Sequence, residues 1–164
     1  MLSLEAAADV APVLVLAVGN PSRGDDALGP LAAERIAAMN LAEVEVLTDF
    51  QLQVEHALDL LGRTRVVFID AAASGEPAFE LRALVPAPDV RHTTHSLSPA
   101  AVLHAYRGLT GKAPPPSWLL AIRGHDFELG APLSDFAAAN LRAALAELAP
   151  RLREAPVSRQ SVPA

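Results

Sequence analysis

A three-layer α/β/α domain on a mostly parallel, twisted five-stranded sheet is what this chain predicts, on three observations. Short, continuously apolar runs such as VLVLAV (13–18) and VVFI (66–69) have the pattern of strands buried on both faces. Between them lie segments whose apolar residues recur at helical spacing. Glycine and proline mark the joins. Strands alternating with helices, joined by right-handed crossovers, give a parallel sheet covered on both sides.

Taken in order, the first strand, 13–18, is stopped by Gly19-Asn20-Pro21 and belongs inside the sheet. Leu28, Leu31, Ala32, Ile36 and Met39 then share one helical face, with Glu34 and Arg35 left for solvent and Asp25 or Asp26 placed to cap the helix. A second strand covers 44–48, and a helix over 54–61 is closed by Gly62. The third strand, 66–69, ends at Asp70 and runs into the small-residue loop AAASGEP; a weaker fourth lies around 79–85. Ser98-Pro99 reads as an N-cap with proline in the first turn, for a helix to about Tyr106 that Gly108 and Gly111 end. The stiff Ala113-Pro114-Pro115-Pro116 leads into a fifth strand at 118–122, stopped by Gly124. Ser134-Asp135 caps a last helix reaching Leu148 and broken by Pro150, so the domain is expected to span 1–150. The remainder, 151–164, mixes Arg, Pro, Ser and Gln without a period and is expected to be disordered.

Composition narrows the function. With 164 residues there is room for one core that needs no disulfide or metal staple. No cysteine is present, which removes thiolate nucleophiles and cysteine-bearing zinc sites and agrees with a reducing cytoplasm. Thirteen Lys+Arg against 19 Asp+Glu leave a net charge of −6, and there is one Trp and one Tyr, so no basic stripe or stacking platform suits nucleic acid. The apolar opening carries Glu5 and Asp9 and no basic residue before Arg23, unlike an export signal. No uncharged apolar run approaches the ~20 residues of a membrane helix.

In parallel α/β sheets the site lies beyond the carboxyl ends of the strands. Three segments stand there. Gly19-Asn20-Pro21-Ser22-Arg23-Gly24-Asp25-Asp26 carries two acids, either of which would also serve as an ordinary helix-start residue. Its glycines at 19, 24 and 29 miss the dinucleotide spacing. Asp70 ends an apolar strand, where an aspartate is costly unless it is used or caps the next turn. His92 and His95 sit just ahead of a helix, where a loop histidine is usually only solvated. Two carboxylates and an imidazole from separate loops make an O,O,N set suited to nickel, zinc or cobalt. There is no H-E-x-x-H and no G-x-S-x-G, so zincin and serine-elbow chemistries are excluded.

At these residues the chain resembles the hydrogenase maturation endopeptidases, which trim the C-terminal extension of a nickel–iron hydrogenase large subunit. The matching stretches are VLAVGNPSRGDDALGP, VVFIDAAASG, TTHSLSP and LLAIRGHDFELGAPLS. The resemblance implies that Asp26, Asp70 and His95 contact the metal and carry catalysis, with Asp25 a cap or supporting group and His92 in reserve. It implies nickel supplied by the precursor, with no tightly held cofactor, and a nickel-loaded large-subunit precursor as partner of a cytoplasmic monomer. Two departures are Ala27 where the family usually has glycine and Asp26 where many members have glutamate. The segment Asp49-Phe50-Gln51-Leu52-Gln53-Val54-Glu55 resembles the subgroup serving cytoplasmic, NAD-linked or bidirectional hydrogenases, although Leu52 and Val54 would also pass as packing residues and Gln51 as a helix start. A nickel-binding chaperone using the same ligands is the alternative. A peptidyl-tRNA hydrolase, suggested by Val18-Gly19-Asn20-Pro21, is disfavoured by the charge.

Overall fold

The computed structural model describes residues 9–89 and 96–154. Five strands, β1 (Val13–Val18), β2 (Val44–Asp49), β3 (Arg65–Ala72), β4 (Phe79–Ala83) and β5 (Ser117–Arg123), form one sheet in the order β2-β1-β3-β5-β4. All neighbours are parallel except β4, which runs antiparallel along the β5 edge. The expected fold class is therefore the observed one, and β1 is interior, every residue of it buried.

Pleat alternation divides the strands between two cores. Val13, Val15, Ala17, Val67, Ile69, Leu120 and Ile122 face α1 (Leu28–Ala38) and α3 (Asp135–Arg153). Leu14, Leu16, Val18, Val66, Phe68 and Leu119 face α2 (Pro99–Thr110) and the segment 52–60. Each fully buried Leu or Ile contributes roughly 1.5–3 kcal/mol of burial, which is why continuous apolar runs persist in the three inner strands.

Several boundaries differ from expectation. The helix expected at 54–61 is a 3-10 helix, Val54–Leu60, opened by Gln53, whose side chain takes the His56 amide while the Gln53 amide donates to His56 Nδ1 at 2.8 Å. Gln51 is not its cap, and Val54 is exposed, while Leu52 packs into the core as a structural residue would. α2 passes straight through Gly108 and ends at Gly111, whose φ of 68° is the left-handed stop. α3 runs through Pro150 to Arg153. Pro150 lies on the exposed side near the helix end, so one lost hydrogen bond is outweighed by Leu148, Ala149 and Leu152 packing beneath it. The Arg65 guanidinium then donates to the carbonyls of Arg151 and Glu154, both at 3.0 Å, so the chain is held by the sheet beyond the expected boundary at 150. The rest of the expected tail lies outside the described residues.

Candidate active site

The loops leaving β1, β3 and β5 meet at one end of the sheet, as parallel strands require. Asp70 belongs to β3 itself, and alternation places it with Val66 and Phe68 on the face that α2 covers. It pairs in register with Ala121 of β5. Burial pushes its carboxyl up to about 6; the Ala71 amide, 2.8 Å from Oδ1, pulls the other way, and the nearby Asp26 carboxylate adds to the rise. Asp26 is half-buried in the β1 loop and turned back by the Asn20 amide, which donates to its Oδ2 at 2.6 Å. The turn is tight there: Gly19 has φ 152°, and a Cβ on it would strike the Asp26 carbonyl.

Neither acid caps α1, contrary to expectation. Its N-cap is Ala27, without a side-chain hydrogen bond. Asp25 instead reaches across to the segment joining β5 to α3. Fully buried, it accepts from the His125 amide (2.7 Å), the Asp126 amide (2.9 Å), the Ser134 amide (2.7 Å) and the Ser134 hydroxyl (2.7 Å). Its own amide donates to the Asp126 carbonyl at 2.6 Å. Burial alone would raise this carboxyl, but the amides of Asp126, Ser134 and His125 and the Ser134 hydroxyl together hold it below the usual carboxylate range. Ser134 also takes the Ala137 amide as N-cap of α3, so one hydroxyl links the clasp to the last helix. Gly124 makes the approach feasible: a Cβ there would lie 2.8 Å from the Asp25 Cβ and 2.6 Å from the Phe127 ring.

The structure thus brings Asp26 and Asp70 together and gives Asp25 to the scaffold. His95, and His92 beside it, lie outside the described residues. Among the described residues no three His, Asp or Glu side chains are grouped to hold a metal, so two oxygen donors are what this part of the chain offers. Two features escaped residue-by-residue assignment. Asp49 at the end of β2 faces His56 Nε2 at 3.3 Å, and because His56 Nδ1 accepts from Gln53 its proton sits on Nε2. On the far side of the mouth, the His125 ring is exposed and stands edge-on to Phe136, 6.1 Å between centroids. The quoted stretch LLAIRGHDFELGAPLS holds His125, but nothing in its spacing separates that residue from loop.

Fold and site together define a three-layer α/β protein with paired carboxylates at the mouth of a parallel sheet. Among solved structures, the chain is similar to the hydrogenase maturating endopeptidase HybD from Escherichia coli, with 26% identity, 87% of this chain and 92% of that chain covered, and a TM-score of 0.68. It is also similar to a second structure, an endopeptidase from Escherichia coli studied in solution, at 25% identity over 87% of this chain and 92% of that one, TM-score 0.67. The [NiFe] hydrogenase maturation protease HycI from Thermococcus kodakarensis KOD1 shares the fold, with 22% identity, 93% and 98% coverage and a TM-score of 0.65. The chain therefore has the hydrogenase maturation endopeptidase fold, as its motifs suggested. No protein-family model matches it. No curated protein matches it in sequence.

Proposed function

We propose that this chain is a hydrogenase maturation endopeptidase that removes the C-terminal extension of a nickel–iron hydrogenase large-subunit precursor. One observation supports the reading beyond the fold: Asp70, raised to about 6 with Asp26 near it, at the mouth of a sheet in a chain whose fold is similar to that of the endopeptidase HybD. A carboxyl of that strength is largely ionised at neutral pH yet basic enough to take a proton from water. The nearby Asp26 carboxylate adds to that rise.

Nickel enters as part of the substrate. Asp26 and Asp70 supply two oxygen donors toward a metal already held by the precursor, and His95 supplies the nitrogen donor that an O,O,N set calls for. Docking on the precursor's metal would place the scissile bond beside Asp70, so that positioning and proton transfer do most of the work. The enzyme then needs no tightly bound metal and acts in the cytoplasm as a monomer. The resemblance of residues 49–55 assigns the precursor to a cytoplasmic, NAD-linked or bidirectional hydrogenase.

The test is to incubate the purified chain with nickel-loaded and nickel-free precursor and follow the mass of the large subunit. Loss of a C-terminal peptide from the loaded form alone is expected. Equal cleavage of both forms removes the nickel-reading role, and an unchanged mass in both removes the peptidase.

A further inference from the structure

We propose that Arg123 is the residue that receives the carbonyl oxygen of the peptide bond being cut, an assignment that rests on the endopeptidase reading above. Arg123 is the last residue of β5 and pairs in register with Ala72. Leu119 packs toward α2 while Leu120 and Ile122 pack toward α1 and α3, so alternation puts Arg123 on the α2 face, the face of Asp70. Asp70 is opposite Ala121, which leaves Arg123 one pleat farther toward the mouth on the adjoining strand.

Its main chain is fixed from three sides. The Arg123 amide donates to the Ala78 carbonyl at 3.0 Å, its carbonyl accepts from Asn140 Nδ2 at 2.9 Å, and the next amide, Gly124, donates to Ala72 at 2.9 Å. Its guanidinium is held by none of the described residues. Among the described residues it makes no hydrogen bond or ion pair, and Nη1 is buried without an acceptor. Buried donors are nearly always satisfied, so an exception calls for an explanation. Arg65 Nε is likewise without an acceptor among the described residues, but the other nitrogens of that guanidinium hold the Arg151 and Glu154 carbonyls, whereas the Arg123 guanidinium has no such bond.

The neighbourhood makes the exception sharper. Asp25, Asp26, Asp70, Asp126 and, across the β5 edge, Glu80 opposite Ala121 are among the acids at this end of the sheet, yet none of them makes an ion pair with Arg123. A cation left unpaired among carboxylates suits an anion that exists only during the reaction. When water adds to a peptide carbonyl, one carboxylate of the Asp26–Asp70 pair takes a water proton, the new C–O bond forms, and the carbonyl π pair moves onto oxygen. Arg123 donates to that oxygen. The C–N bond then breaks, the proton passes to the leaving nitrogen, and a carboxylate and an amine are released with one water consumed. Donors set in advance where charge develops act on the rate rather than on substrate affinity.

The experiment measures cleavage of nickel-loaded precursor by wild type, Arg123→Gln, Arg123→Ala and Arg123→Lys, with melting temperatures for each. Expected are a fall in kcat of about 10²–10³-fold for the Gln and Ala forms, little change in KM, a smaller fall for Lys, and partial rescue of Arg123→Ala by added methylguanidinium. Wild-type turnover by Arg123→Gln, a loss confined to KM, or a loss that methylguanidinium does not touch overturns the assignment. A wild-type chain that leaves the loaded precursor intact overturns the endopeptidase reading as well, whereas wild-type cleavage with undiminished cleavage by Arg123→Gln overturns this inference alone.

Discussion

Asp25 and Asp70 are both aspartates at the carboxyl end of one sheet, and they are built in opposite ways. Asp25 has four donors converging on it and is held below the ordinary carboxylate range. Among the described residues Asp70 has one, from Ala71, and it rises to about 6 with a second carboxylate nearby. Burial does not separate them, since it pushes both upward. What separates them is whether the backbone aims amides at the charge, so the satisfied acid holds the fold together and the unsatisfied one is left able to exchange a proton.

The sharpest way to break this contrast is Asp70→Asn. Processing should fall by about 10²–10⁴-fold, the usual worth of a positioned proton acceptor, as read from precursor mass. Stability should move the other way. With a folded value near 6 against an unfolded value of 3.8, Asp70 stabilises fully only below about pH 3.8 and has lost that contribution above about pH 6. The Asn form should therefore melt higher than wild type at pH 8, with the gain fading between pH 6 and pH 4. Equal melting at both ends would mean that Asp70 is not desolvated.

Asp25→Ala tests the other pole. An acid that merely capped a helix would cost ~1 kcal/mol, but here three amides and a hydroxyl lose their acceptor inside the protein, and about 3–5 kcal/mol is expected by denaturant melting. Because the clasp keeps its acid ionised, its stabilisation is present above pH 3.8 and is lost as pH falls through the lowered folded value. Wild type should thus lose its advantage over Asp25→Asn in strong acid. Gly124→Ala comes next, at about 1–3 kcal/mol, since the new methyl must push aside Asp25 or Phe127. The smallest effect is electrostatic: Asp26→Asn should lower the Asp70 titration, followed by carboxyl NMR, by less than about one unit.

Much of this was legible because it is local. The runs at 13–18 and 66–69 and the Ser98 and Ser134 caps are short patterns with one physical meaning, and they matched strands and helices within a few residues. Asp70 was legible because an acid ending an apolar strand is costly wherever it sits. The role of Asp25 was not, because its partners lie 100 to 109 residues away and nothing in GNPSRGDD names them. The passage of α3 through Pro150 was hidden for a similar reason: tertiary packing of Leu148 and Leu152 outweighs a local penalty. The 3-10 form of Val54–Leu60 turns on the side chains of Gln53 and His56, a reciprocal cap that apolar spacing does not encode. Arg123 is not legible because an arginine at a strand end is ordinary until its Nη1 is seen buried with no acceptor among the described residues.

The clasp also sets when the molecule becomes complete during its own synthesis. Residue 25 leaves the ribosome early, but the groups it needs, from His125 to Ser134, emerge only after all five strands have been made. Closing a loop of that length comes late in folding, once the nearer contacts have formed. Until then the β1 loop keeps its own turn hydrogen bonds but lacks the brace that Asp25 ties to the far segment. A chain stalled before Ser134 would carry both acids and still lack the clasp that orders their loop, so the carboxylate pair is braced only as the last helix is being made.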